Sequence, residues 1–403
     1  MTLKFWQNLS ISSEPLKAFA NIESVFRTGL YKSFNQLNMI VSNVAIGMEK
    51  LNMDLDSSIV TLEQIKETYT YLKSTRQVIR TPTLLHVQSL FQETNETFET
   101  KNNNEAEAPA ASPLNISDVD LFIKLENMQT TGSFKIRGVL NQMRKIQQKH
   151  GKQVKLVTMS AGNYGKAFAH VVGRLKSKSI CVMPKTAPDN RVSLIENMGV
   201  EVRKRPTNEL QAEVDRLVKD EDYIFCHPFD DMDLIAGYAS SALELLEDVP
   251  DPDVVVVCCG GGGLVSGVAA GISLSDRKKC RIYAVEPEGA PTMYESFKSR
   301  RPLTLPDVKS VASGLAPPYA GTICYRHCRW FVEDILLVSD EEIMQAMRLL
   351  FHRGIKAEPS GCAALAALLN GKVPDVEGKK VVVYISGGNV TPSELALYIP
   401  EGV

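Results

Sequence analysis

The stretch VVVVCCGGGGLVSGVAAG, residues 254–271, joins a run of β-branched residues to four glycines and then to small and apolar residues at helical spacing. A continuous apolar run, unlike one that alternates with polar residues, suits a strand buried on both faces, and such strands belong to parallel sheets covered by helices. Glycines let the backbone approach a ligand closely, and a helix that begins there offers free N–H groups and a partial positive charge. The segment reads as strand, phosphate cradle and helix. It is not a P-loop, because the lysine and hydroxyl residue needed after the last glycine are missing. Nor is it the dinucleotide fingerprint, whose third glycine would fall on Val265 or Ser266.

Working outward, the same alternation recurs in VDLFIKLE, KLVTMS, SICVMP, VEVRKR, YIFCHP, RIYAVEP and KVVVYIS, most of them followed by helix-like sequence. Strands that alternate with helices predict an α/β fold with mostly parallel twisted sheets flanked by helices. Ligands of such sheets bind beyond the carboxyl ends of the strands, and the unusual residues of this chain gather there. The 403 residues suffice for two domains. The expected arrangement is an N-terminal extension at 1–75, a large domain made of 76–156 and 233–403, and a small domain at 157–232. Residues 92–117, rich in Asn, Glu, Thr and Pro, are expected to be a mobile polar insertion.

With 45 basic and 47 acidic residues the chain has no excess of positive charge for nucleic acid or anionic lipid, so a small molecule is the expected partner. Eight scattered cysteines, four of them (Cys181, Cys258, Cys259, Cys280) in or beside apolar runs, read as reduced thiols of an intracellular protein. Cys324, His327 and Cys328 have no second pair at finger-like spacing, which favours packing over metal binding. No run reaches the roughly 18 apolar residues of a membrane span. A cytoplasmic protein is expected, while Lys4, Lys17, Arg27 and Lys32 among serines leave a mitochondrial transit peptide open.

Two more turns carry chemistry. KLENMQTTGSFKIRG, residues 124–138, sets Lys135 behind Phe134, where desolvation would lower its pKa as a Schiff-base amine requires. LVTMSAGNYGKAFAHV, 156–171, and YISGGNVTP, 384–392, are strands ending in polar glycine turns. Taken together, TP near Thr81, KLEN, TGSFKIRG, SAGNYG, HPFDD, GGGGL, EPSG and SGGN resemble the fold-type-II, tryptophan-synthase-β-like pyridoxal-phosphate enzymes, and within them the threonine and serine dehydratases and serine racemase. The resemblance runs from about Ile79 to Val390.

The resemblance implies that Lys135 carries pyridoxal phosphate as a Schiff base with Phe134 against its ring. It implies that Gly260, Gly261, Gly262 and Gly263 hold the phosphate, that Asn163 bonds the ring hydroxyl, and that Ser386 meets the pyridine nitrogen. Ser160 and Tyr164, with the backbone of Ala161, Gly162 and Asn163 between them, would bind a substrate carboxylate, although the family usually has histidine at Tyr164. The implied reaction is β-elimination from L-threonine or L-serine to a 2-oxo acid and ammonia, by a homodimer or homotetramer. Racemases of the group place a second proton donor where this chain has Ala161, which points to a lyase. The group's cation site matches at Glu286 and Ala290 but has Thr292 in place of an aspartate, so no metal is assigned; Glu286 reads equally as a solvated charge at a strand end. Racemisation, elimination from another β-substituted amino acid such as hydroxyaspartate, and a non-catalytic cofactor-binding role are the alternatives.

Overall fold

The structure is a computed structural model that describes residues 57–91, 116–175, 177–275 and 280–399. The expected extension before residue 57 lies outside the described residues. So does the expected insertion, apart from its last two positions, where Ile116–Asp118 forms a 3-10 turn with Ile116 buried. The account below concerns the compact unit Val60–Val403.

The described strands are β1 (Thr83–Leu84), β2 (Asp120–Leu125), β3 (Lys155–Met159), β4 (Ser179–Pro184), β5 (Glu201–Arg205), β6 (Tyr223–Phe225), β7 (Val254–Cys258), β8 (Arg281–Pro287), β9 (Asp334–Val338) and β10 (Lys380–Ile385). They form a large sheet of order β1-β2-β10-β7-β8-β9 and a small one of order β5-β4-β3-β6. Every pairing is parallel except β1 with β2. The fold is thus α/β with parallel-dominated sheets, and each of the eight runs read from the sequence contains a strand. In β7 all five residues are buried, as burial on both faces requires, and each large apolar side chain so placed contributes about 1.5–3 kcal/mol.

Helices cover the sheets by their apolar faces. Lys135–His150 buries Ile136, Val139, Leu140 and Met143 and ends at Gly151, whose φ of 85° closes the last turn. Leu62–Ser74, assigned to the extension by sequence, opens on a capping box between Thr61 and Gln64, buries Ile65 and Leu72, and packs on the helix Met232–Asp248.

A buried ion network fixes where the lysine helix starts. Arg137 pairs with Glu126 at 2.8 Å and with Glu244 at 3.0 Å, and Lys124 reaches Glu244 at 2.7 Å. Thr81 donates to Glu126 at 2.7 Å. Burial alone would raise the Glu126 pKa, but the Arg137 guanidinium more than offsets it and holds it below the ordinary value. Thr81, Lys124, Glu126 and Arg137 are therefore the mount of Lys135.

Candidate active site

The parallel order β2-β10-β7 sets three carboxyl ends side by side, and the turns after them meet. Phe134 N–H, in the turn before Lys135, donates to the Ser386 carbonyl at 3.1 Å. Cys258, last residue of β7, donates its thiol proton to Ser386 Oγ at 3.1 Å. Lys135, the glycine run and Ser386 are thus brought to one place by backbone topology.

Lys135 Nζ donates to the Pro228 carbonyl at 3.0 Å and lies 5.0 Å from the Phe134 ring and 5.7 Å from those of Tyr164 and Tyr238. Burial among these rings pushes its pKa down to about 8. Phe134 packs edge-on against Tyr238 at 4.8 Å. The glycine run ends where the helix Gly263–Ser273 begins, with Gly262 at φ 100°. A Cβ on Gly261 would stand 2.3 Å from the Phe229 ring, so glycine lets this turn pack against that ring, at the start of a helix whose first N–H groups suit an anion.

The SAGNYG turn lies between β3 and the helix Asn163–Leu175. Ser160 Oγ accepts N–H groups from Gly162 at 3.3 Å and Gly165 at 3.1 Å, which shapes the turn and leaves its own proton to donate. The Ala161 carbonyl accepts from Arg191 at 3.3 Å. Asn163 Nδ2 donates to the Glu358 carboxylate, and one N–H of that amide is left for a ring hydroxyl.

Tyr164 is placed otherwise than its expected role requires. Its ring is 2% exposed and its hydroxyl donates inward to Gln142 Oε1 at 2.5 Å, so the hydroxyl does not reach the turn. A phenol is long enough to bridge from this helix to Gln142 on the helix Lys135–His150, and that position buries it.

Glu286 is likewise not a solvated charge. It is fully buried, and its carboxylate accepts from Met293 N and Tyr294 N at 2.8 Å and from Thr292 Oγ1 at 3.3 Å, capping the helix Thr292–Ser299. Burial raises its pKa to about 8. Ala290 is buried beside it in sequence. Among the described residues no group of three His, Cys, Asp or Glu is placed to hold a metal ion. His327 accepts the Val60 N–H at 3.1 Å, and the thiols of Cys324 and Cys328 are buried, as packing residues.

Several residues of the site had no role in the sequence reading. Pro228 meets Lys135, and Phe229 lines the cradle. Asp230 accepts three N–H groups at the start of the helix Thr322–Phe331, from Thr322, Ile323 and Cys324. Glu358 and Asn389 flank Asn163. The motifs HPFDD, EPSG and SGGN contain all five, but position in a motif does not say which side chain turns inward.

The residues present fit a phosphorylated aldehyde cofactor: a buried amine of lowered basicity, an anion cradle at a helix start, and a hydroxyl at the neighbouring strand end. Fold and site define an enzyme of the pyridoxal-phosphate class. The family described as "Pyridoxal-phosphate dependent enzyme" matches residues 106–387, and the chain belongs to it. It is 33% identical over 287 residues to the L-threonine ammonia-lyase of Thermotoga maritima, covering 70% of this chain and 71% of that protein. It is 36% identical over 281 residues to the catabolic L-threonine dehydratase of Escherichia coli K12, covering 69% and 85%. The serine racemase of Dictyostelium discoideum superposes with a TM-score of 0.70 at 29% identity, covering 83% of this chain and all of that one (100%). No described helix is long and apolar enough to cross a membrane.

Proposed function

We propose that the protein is an ammonia-lyase that eliminates the β-hydroxyl of L-threonine or L-serine, giving 2-oxobutanoate or pyruvate and ammonia. The names of the relatives support this, and one observation in the chain itself carries it: Ala161 has no proton to give, which leaves Lys135 to move the Cα proton. Pyridoxal phosphate supplies the electron sink for charge developing at Cα.

The chain's own groups do the rest. The N–H groups of Gly260–Gly263 hold the phosphate, and the Ser386 hydroxyl meets the pyridine nitrogen without the charge an aspartate would bring. Ser160 and the N–H groups at the start of the helix Asn163–Leu175 hold the α-carboxylate. Lys135 Nζ, with its pKa lowered to about 8, is neutral in roughly a tenth of molecules at pH 7 and takes the Cα proton. The rings of Phe134, Tyr164 and Tyr238 exclude water around it. Threonine and serine differ by one methyl, worth roughly 1–3 kcal/mol, so both are expected substrates.

Purified protein loaded with pyridoxal phosphate and given L-threonine or L-serine should form a 2-oxo acid. Absence of any 2-oxo acid from either substrate overturns the proposal.

A further inference from the structure

One chain of side-chain hydrogen bonds in the site is oriented from end to end. Lys166 Nζ donates to Asn389 Oδ1 at 2.6 Å, Asn389 Nδ2 donates to Asn163 Oδ1 at 2.7 Å, and Asn163 Nδ2 donates to Glu358 Oε1. An ammonium has only protons to offer, so the oxygen of Asn389 must face it; Asn389 Nδ2 then faces both Asn163 and the Thr131 carbonyl, the latter at 2.9 Å. That in turn sets the Asn163 amide with its nitrogen toward Glu358. The direction of every bond follows from the charge of Lys166, and aligned bonds of this kind polarise one another.

The acceptor end is prepared by the backbone. A Cβ on Gly387 would lie 2.3 Å from Glu358 Oε1 and 3.1 Å from Asn163 Nδ2, so the glycine of the SGGN turn reserves the space in which the two meet. Lys166 and Asn163 belong to the helix after β3 in the small sheet, whereas Asn389 and Glu358 follow and face β10 in the large one.

We propose that Lys166 and Glu358 are positioning residues: Lys166, acting through Asn389 and Asn163, favours the ionised form of Glu358, and the Asn163 amide so oriented sets the protonation of the cofactor's ring hydroxyl. The proposal rests on Asn163 as the partner of that hydroxyl and is independent of which substrate is turned over. Around Glu358 stand Arg191 on the helix Asp189–Glu196, Glu394 on the helix Pro392–Tyr398, and the buried thiols of Cys258 and Cys362; Lys356 adds a cation near Lys166. Burial leaves the Glu358 pKa above the ordinary carboxylate value and Glu394 adds to the rise, while Asn163, Arg191 and, least, Lys166 oppose it. Burial lowers that of Lys166, and Glu358 opposes the shift. Removing the Lys166 charge therefore raises the pKa of Glu358.

The test is a pH titration of the visible absorbance of the protein loaded with pyridoxal phosphate, without substrate. Lys166→Gln should move the spectral midpoint up, Lys166→Arg should restore it, and Glu358→Gln should remove that transition. In the Lys166→Gln, Glu358→Gln double variant no further shift should follow. Superimposable titrations of Lys166→Gln and wild type, or a Lys166→Gln shift that persists in the Glu358→Gln background, overturns the proposal. Thermal melting of each variant controls for folding; if Glu358→Gln does not fold, the Gln and Arg replacements at Lys166 decide alone. Because no substrate is present, the result stands apart from the ammonia-lyase reading.

Discussion

Recombination of the apoprotein with pyridoxal phosphate requires Lys135 to attack as a neutral amine, so its rate reports the amine's pKa. Burial between the rings of Phe134, Tyr164 and Tyr238 lowers that pKa to about 8. The neutral fraction at pH 7 is then about one in ten, against roughly one in three thousand for a lysine at its ordinary value. Between pH 7 and pH 9 the rate should rise about tenfold and level off, whereas a free lysine derivative should gain about a hundredfold and keep rising. Stopped-flow absorbance with both amines under the same conditions cancels the titration of the cofactor itself. The same depression has a stability sign: the fold favours the uncharged amine, so burying Lys135 destabilises the apoprotein below pH 8, and this cost fades as pH rises toward the ordinary lysine value. A protein curve that climbs in parallel with the free lysine derivative beyond pH 9 would refute the desolvated amine.

Three substitutions extend the account. Ala161→Ser restores a proton donor at the carboxylate turn and should raise racemisation relative to ammonia release, as read by chiral chromatography of residual substrate; an unchanged ratio counts against elimination by default of a second donor. Arg137→Met strands the buried carboxylates of Glu126 and Glu244 and should cost about 3–5 kcal/mol in urea unfolding, and a loss under about 1 kcal/mol would contradict the network as the mount of Lys135. Tyr164→Phe removes only the hydrogen bond to Gln142, so stability should fall by about 1 kcal/mol while KM stays within about twofold; a large rise in KM would return the hydroxyl to the substrate.

Most of the strands could be read from apolar runs because burial on both faces leaves an unbroken signature, as in VVVVC, whereas β5, EVRKR, lies at a sheet edge with no residue buried. The two-residue β1 carries too little pattern to register, and β9, DILLV, is a short apolar run between helices that periodicity alone does not separate from helix. Lys135, the glycine run and Ser386 were readable as chemistry at strand ends, and the sheet order explains why they converge. Tyr164 and Glu286 were misplaced for a common reason. Local sequence names the residue at a helix start or strand end but not the side to which a long side chain turns, and here packing took the phenol to Gln142 and the carboxylate to the amides of Met293 and Tyr294. Glu358 was visible only as a letter in EPSG, because its partners Asn163, Asn389 and Lys166 come from other parts of the chain.

The most direct test couples the position of the cofactor to the fate of the substrate. Protein loaded with pyridoxal phosphate is reduced with borohydride and mapped by mass spectrometry, and a parallel unreduced sample is given L-threonine. The account predicts label on Lys135, equal amounts of ammonia and 2-oxobutanoate, and loss of both label and products in Lys135→Ala. Label on Lys135 with no 2-oxo acid, or with inverted amino acid as the main product, would contradict it.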